Sequence, residues 1–409
     1  MMRYLWVLIV TGLISLGLSG NVWAANWNSG SQGTQKSDYK DPQVIIFPKD
    51  FFVEKIKGNS CYGSGAWNQE PLSNGMFDLL IQDEVSKLTS IDSKTLEETS
   101  TSLTVNHDYI SKKWALLLDL TYDAVASENQ SKIEAVKDIL VSMAKNRVLL
   151  GATKPEEHDG QCWKDGNQNA KCKIHFSLHS GYTFVAAMIS AIVLEEHITA
   201  QEKKMLDEYF SESYERYVRP LTLGQLKSKG LYEFADYGIG VLAYARWTKD
   251  EKLAKLELKR RYFSFLQKIE DDGFLKENSY RGYRGYWYHT LGVEGVFAYS
   301  MIARNFGVDF FNMPLLKAKF TKIVEKTVQG NSDVLLFEKL PKRGKNRITD
   351  KSKARPHMHQ LAINLPTVLE NEFKVTIIQN PTYLRKSKDE TVSRFVGFNA
   401  DCYYQSIKQ

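Results

Sequence analysis

Proline is scarce in this chain, with 10 in 409 residues, about half of the usual share of roughly 5%. Few prolines mean few obligatory helix breaks, so the chain leans toward helix. Cysteine is scarce as well, and the four present (Cys61, Cys162, Cys172, Cys402) include no CxxC pair, which argues against a zinc site; a catalytic thiol is expected still less. Outside one stretch, charge of one sign is missing. The 54 Lys and Arg exceed the 48 Asp and Glu by six, and Pro341–Pro356 (PKRGKNRITDKSKARP) alone holds seven basic residues and one acid. The rest of the chain balances at 47 against 47, which excludes a generally basic nucleic-acid coat and leaves one cationic segment to explain. No repeat stands out at a fixed period. Strand signals are few, and only Phe373–Ile378, which alternates, reads as a strand.

What is present is the composition of a globular protein, 43% hydrophobic and 12% aromatic. The N-terminus reads as an export signal. Arg3 precedes an apolar stretch from Leu5 to Leu18, and Val22-Trp23-Ala24 supplies small residues at the −3 and −1 positions of a cut after Ala24. That stretch is short for a membrane span of about 20 residues. The expectation is therefore a periplasmic or secreted protein, with an uncleaved anchor as the alternative. Residues 25–43 are rich in Asn, Ser, Gly and Gln and read as a flexible lead-in. An even cysteine count in an exported protein suggests disulfides. Cys162 and Cys172 bracket a polar loop and form the first expected bridge, with Cys61–Cys402 tying the two ends.

From residue 44 onward the pattern is repeatedly helical. Helices are expected over Ser111–Ser127, around Ile133, Val136, Leu140 and Met143, and over the almost wholly apolar Gly181–His197. Thr199-Ala-Gln-Glu202 is a capping box that opens a helix closed by Pro220. Further helices are expected at Tyr237–Thr248, Glu251–Ile269, Leu291–Phe306, and from Pro314 to Val328, with Gly330 ending the last. Helices that are apolar all round alternate with amphipathic ones. That fits an all-α fold, an (α/α) toroid of paired inner and outer helices, closed or incomplete, in one domain over 44–409. An irregular helical bundle is the alternative.

Aromatic and cationic residues concentrate in Asp271–Tyr299 (DDGFLKENSYRGYRGYWYHTLGVEGVFAY). Arg281, Arg284 and Tyr288 are spaced to share a helical face, although Gly282 and Gly285 favour a loop leading into the Leu291 helix. Either way two guanidinium groups fall near one phenol, an arrangement that favours the phenolate. Surface arginines beside packed tyrosines are the structural alternative.

This string resembles the bacterial alginate lyase family of periplasmic poly(mannuronate) lyases, polysaccharide lyase family 5 and its relatives. The family pattern is close to DGxL…RGxRALxYHxxAL…GVDLY. Here it reads Asp272-Gly273-Phe274-Leu275, then Arg281-Gly282-Tyr283-Arg284-Gly285-Tyr286-Trp287-Tyr288-His289, then Gly307-Val308-Asp309-Phe310-Phe311. A second family motif, NNHSYW, has its nearest match at Ser177–Tyr182, with Leu178 where the family has asparagine. The resemblance implies β-elimination on a uronate polymer, alginate or poly-mannuronate first, without metal or cofactor. It implies Tyr288 as principal acid/base, His179 as its assistant and Arg281 as the group neutralising the C6 carboxylate. Arg284, His289 and Tyr182 would bind substrate. The expected partner is an anionic polysaccharide, not nucleic acid or membrane, and the basic stretch at 341–356 would be a rim attracting it.

The residues also fit two other readings. An inverting glycoside hydrolase needs two carboxylates flanking a water, with Asp236, Asp271, Asp272, Glu277 and Glu294 as candidates. A non-catalytic periplasmic polysaccharide-binding protein needs only the groove. His357-Met-His359 has ligand-like spacing but no adjoining carboxylate cluster, and Trp163, between two cysteines, suits sugar stacking or packing under a loop.

Overall fold

A computed structural model of the chain describes residues 37–47, 117–148, 150, 173–227, 231, 234–341, 361–362, 364–378 and 400–408, except for the side chains at 173–180, 224–227, 234–237 and 406–408. The expected signal segment, most of the lead-in, Cys61, Cys162, Trp163, Cys172, residues 342–356 of the basic stretch and the His357–His359 pair lie outside the described residues. The chain divides into two compact units, Met1–Asp38 and Tyr39–Gln409, and every described helix belongs to the second.

A helix over 117–126 (α1) leads to α2 (Gln130–Lys145), where Asn129 caps the first turn by accepting the Lys132 N–H at 3.2 Å. Ile133, Val136, Leu140 and Met143 form the buried stripe of α2, at the spacing that one face of a helix requires. The long apolar run becomes α3 (Lys173–Val193), buried without a break from Thr183 to Ile192. The capping box forms as expected. Thr199 Oγ1 accepts the Glu202 N–H at 3.3 Å and the Glu202 carboxylate accepts the Thr199 N–H at 2.8 Å, opening α4 (Ala200–Ser213).

Pro220 does not close that helix. The chain passes through a π turn, Tyr214–Val218, directly into α5 (Arg219–Lys227), with Pro220 in the first turn of α5. A proline ring crowds the carbonyl four residues earlier and offers no N–H. Widening the preceding turn to i→i+5 bonding makes room for it.

Next come α6 (Phe234–Thr248), α7 (Glu251–Lys268), α8 (Gly285–Asn305) and α9 (Pro314–Ser332), then α10 (Leu335–Glu338), α11 (Leu365–Phe373) and α12 (Ala400–Lys408). Two boundaries differ from expectation. The α8 helix starts at Gly285, six residues before Leu291. Gly330 lies inside α9 instead of ending it, because a Cβ there would stand 2.4 Å from the Phe337 ring and 2.6 Å from the Tyr286 ring. That glycine serves packing and not chain reversal. The expected strand Phe373–Ile378 is not formed: Phe373 ends α11, Lys374 is left-handed (φ 58°), and Val375 bonds back to the Leu369 carbonyl. Among the described residues no strand lies alongside to pair with it, and alternation without a partner does not make a sheet. Ile269 and Leu275 pair in an isolated antiparallel bridge.

The helices alternate in depth. In α8, 18 of 21 residues are buried; α6 packs against both α3 and α8, making an inner row. Outside it, α4 lies on α3, α7 on α6, and α9 on α7 and α8. The outer helices bury one face each: Leu206, Tyr209 and Phe210 in α4; Leu316, Phe320, Ile323, Val324 and Thr327 in α9. This is the all-α architecture of paired inner and outer helices anticipated from the alternating hydrophobicity. Cys402, in α12, is buried and is not a free thiol.

The link from α7 to α8 sets the site. After Ile269 a tight turn reverses the chain, with the Glu270 N–H on the Phe274 carbonyl at 2.8 Å and the Lys276 N–H on the Lys268 carbonyl at 2.9 Å. The turn docks on α9. Lys319 Nζ reaches the Ile269 carbonyl at 2.7 Å, and Gly273, at φ +88°, lies so close that a Cβ would be 2.2 Å from the Lys322 carbonyl oxygen. Glycine is demanded twice here, by dihedral angle and by space. Gly273→Ala is expected to cost on the order of 2–4 kcal/mol, read as a lowered urea midpoint with an unchanged denaturant slope.

Candidate functional site

Residues 276–284 connect that turn to α8 and carry the cationic and aromatic groups. The connection rests on a small core of its own, Phe274, Tyr280, Tyr286 and Phe337, with Val334, Leu336, Leu340 and Leu361 packed around it. Gly282 is left-handed (φ 61°) and bends the chain back on itself. Gly285 then starts the helix where nothing larger fits: a Cβ would be 2.5 Å from the Ser279 carbonyl oxygen. The reversal lays Arg281 over the first turn of α8, its guanidinium carbon 4.1 Å from the centroid of the Tyr288 ring. The cation meets the face of the ring, the attractive geometry for a guanidinium and an aromatic quadrupole. Tyr288 is 9% exposed, Arg281 is half-buried, and Trp287 meets Tyr288 edge-on at 4.8 Å.

Arg284 occupies the N-cap of α8, and its carbonyl accepts the Tyr288 N–H at 3.1 Å. The rest of its side chain is half-buried, and its Nε is buried with no hydrogen-bond partner among the described residues. Tyr283 and Trp287 are half-buried beside it. The result is a patch with two guanidinium groups and three aromatic rings at the N-terminal end of an inner helix. That end also carries the helix's partial positive charge, which favours anions.

His289 is placed differently from the expectation that it binds substrate. It has no exposed surface. Its Nδ1 lies 3.0 Å from Ser279 Oγ and its Nε2 lies 3.1 Å from Thr327 Oγ1, with the ring against Phe337. Burial holds the imidazole neutral, its pKa pushed down to about 3. Following Tyr288 by one residue on a helix turns a side chain about 100° away, from the patch into the core.

Tyr182 is half-buried on α3, with α6 packed between α3 and α8. His179 and Leu178 are also on α3, but their side chains are outside the described residues. The structure thus brings Arg281, Arg284 and Tyr288 together and sends His289 inward.

Three carboxylates of the hydrolase reading, Asp271, Asp272 and Glu294, have other partners, while the Asp236 side chain lies outside the described residues. Asp271 pairs with Lys319, which holds its carboxyl below the usual range. Asp272 accepts the Phe274 N–H at 3.2 Å. Glu294 is buried and accepts both the N–H and the side-chain amide of Asn364, at 3.2 and 2.8 Å. Two groups that the sequence did not single out have ionisation moved toward neutrality. Burial raises Asp119 on α1 to about 7 and lowers Lys268 at the end of α7 to about 6, with Arg261 adding to the second effect. Nor did the sequence single out Asn278, Ser279 and Thr327, all fully buried around the first turns of α8. Their only signal is polar residues standing at positions the apolar pattern leaves unexplained. Among the described residues no group of three or more His, Cys, Asp or Glu is arranged to hold a metal ion.

The His289 setting generates a pH prediction. Its folded pKa lies below its unfolded value of 6.5, so the unfolded chain binds the extra proton. The stabilisation is complete above pH 6.5 and is lost as pH falls from there toward 3. His289→Gln lacks this term. Its stability deficit at pH 7.5, about 1–3 kcal/mol for the disturbed hydrogen bonds, is expected to shrink as pH is lowered to 5, by up to about 1.4 kcal/mol per unit. Urea midpoints of both proteins across that range check it; a deficit independent of pH would contradict a buried neutral imidazole.

No protein-family model matches the chain, and no curated protein does. Among solved structures, the chain is similar to alginate lyase A1-III complexed with a tetrasaccharide, at 12% identity over 72% of this chain and 74% of that one, with a TM-score of 0.49. It is also similar to alginate lyase A1-III from Sphingomonas species A1, at 13% identity over the same shares, with a TM-score of 0.45.

Proposed function

We propose that the protein is a polysaccharide lyase that cleaves an acidic uronate polymer, alginate rich in mannuronate first, by β-elimination. The observation that carries this reading is the Arg281 guanidinium stacked 4.1 Å over the ring of Tyr288, within the Arg-x6-Tyr-His string that resembles the alginate lyase family. In a uronate residue the C5 hydrogen is weakly acidic until the C6 carboxylate is neutralised. A planar guanidinium suits that carboxylate, and Arg284, with its unmet Nε–H, is a second donor for the same group.

With the carboxylate neutralised, a base takes the C5 proton. The electron pair forms the C4–C5 double bond, the C4–O4 bond breaks, and the leaving O4 takes a proton. Tyr288 is assigned the principal acid/base role, as phenolate toward C5 and as phenol toward O4. His179 is assigned the supporting role, and Tyr182, on the same helix, a place along the sugar chain. Trp287 and Tyr283 offer ring faces to a pyranose. The basic stretch at 341–356 supplies long-range attraction for the polyanion. Export to the periplasm or medium, where such polymers are met, agrees with the N-terminal segment, and among the described residues no helix is long and apolar enough to cross a membrane.

Incubation with mannuronate-rich alginate, guluronate-rich alginate and glucuronan tests the reading through the ultraviolet absorbance of the unsaturated C4–C5 end. New reducing ends without that absorbance mean a hydrolase; binding with neither means a binding protein. Tyr288→Phe is expected to lower turnover by at least about 10²–10⁴-fold while the melting temperature and polymer binding stay close to wild type. A variant keeping most of its activity removes Tyr288 from the chemistry.

A further inference from the structure

Two consecutive residues of the connection grip two consecutive residues of the helix. Asn278 Nδ2 donates to the Tyr288 carbonyl at 3.2 Å, and Ser279 Oγ lies 3.0 Å from His289 Nδ1, each across ten residues of sequence. Both gripping side chains are fully buried, and both are anchored on their far sides. Asn278 Oδ1 accepts the Leu231 N–H at 2.7 Å, which ties the grip to the segment just before α6. Ser279 Oγ accepts the Leu275 N–H at 2.8 Å.

The proton directions close consistently. The Thr327 hydroxyl donates to the Ile323 carbonyl at 2.7 Å, so it accepts from His289 Nε2–H. Nδ1 is then the acceptor, and it takes the Ser279 hydroxyl proton. Fit is tight on the helix side as well. At Gly292, one turn beyond Tyr288, a Cβ would come within 2.9 Å of Asn278 Nδ2 and 2.6 Å of Leu275.

Arg281 follows Ser279 by two residues. The cation and the phenol are thus referenced to the same pair of buried side chains from opposite sides, and the six residues between them include a left-handed glycine, Gly282, that alone would not hold them in register. We infer that Asn278 and Ser279 are positioning residues that keep the Tyr288 phenol stacked beneath Arg281. This rests on the lyase reading for its consequence in turnover, though not for the geometry.

The experiment compares Asn278→Ala, Asn278→Ser and Ser279→Ala with the remote control Tyr209→Phe on outer helix α4, which loses a buried hydrogen bond of 2.9 Å to the Val148 carbonyl. Melting temperature, kcat and KM per folded molecule on the best polymer, and a crystal structure of each bracket variant are measured. The expected result is a kcat lower by about 10–100-fold with KM within about 3-fold, as small misplacements of reacting groups produce. In the variant structures the guanidinium should have left the ring, beyond the roughly 6 Å reach of a cation–π contact. Tyr209→Phe should lower the melting temperature alone, and Ser279→Thr, which restores the hydroxyl, should recover most of the turnover. Loss of activity only in proportion to folded protein, or a stack still at about 4 Å in the variants, would overturn the inference. If the wild type cleaves no uronate polymer, the lyase reading fails, and the variant structures alone decide the bracket. If Asn278→Ala does not fold, Asn278→Ser decides in its place.

Discussion

An inner helix that is buried on nearly every side has no solvent to satisfy its polar groups. In α8 that burden is concentrated in its first three turns, where Tyr288, His289, Thr290 and Glu294 are all buried. Leaving any of them unpaired would cost the full desolvation of the group. The neighbouring chain meets the demand with Asn278 and Ser279 before the helix, Thr327 on α9 and Asn364 ahead of α11. Each of these bonds also locates an element. The connection, the outer helix and the C-terminal segment are held against α8 by the groups that α8 cannot leave bare. Asn364 extends the same logic by accepting the Ala400 N–H at 2.9 Å, which seats α12.

The same constraint separates chemistry from scaffold within one short string. The Asp-Gly-Phe-Leu run builds the turn that docks on α9. The Gly-Val-Asp run ends α8: Gly307 is left-handed (φ +80°), its N–H and that of Val308 cap the last turn, and Asp309 pairs with Arg304. Only the middle of the string reaches the surface with cations and rings, through Arg281, Tyr283, Arg284 and Trp287, with Tyr288 beneath Arg281. His289 belongs to the scaffold even though it adjoins the tyrosine in sequence. A motif is therefore a mixture of residues that act and residues that hold the actors, and burial is what tells them apart.

A second buried polar arrangement lies where α7 packs on α6. Arg261 and Glu257 on α7 form an ion pair at 2.6 Å with essentially no exposed surface, lying against Gly238 of α6 where no Cβ would fit. Burial holds the Glu257 carboxyl above its usual range while Arg261 pulls it down. Such a pair adds little net stability, but breaking it leaves an uncompensated charge. Both partners lie on α7, one turn apart, and meet α6 at its glycine.

Much of this architecture was legible in the chain. Capping residues act through bonds to their own next turn, and apolar stripes at spacings of three and four have one way to be buried. The helices from Gln130 to Lys145, from Ala200 onward and from Pro314 onward therefore read correctly, as did the alternation of inner and outer helices. Features that depend on a neighbour did not. Pro220 and Gly330 looked like helix ends because proline and glycine usually are; a π turn and two aromatic rings made them interior residues instead. Phe373–Ile378 alternates like a strand but, among the described residues, has no strand beside it. The cluster of Arg281, Arg284 and Tyr288 could be found by composition, whereas the stacking of cation on ring, and the turning of His289 into the core, required the fold. By itself the sequence determined where helices begin, which of their faces are apolar and which segment concentrates cations and rings, since these are set by bonds and spacings within a few residues. Only the tertiary structure decided which polar groups are satisfied internally and which are left to meet a ligand, because that depends on residues distant in the chain and brought together by packing.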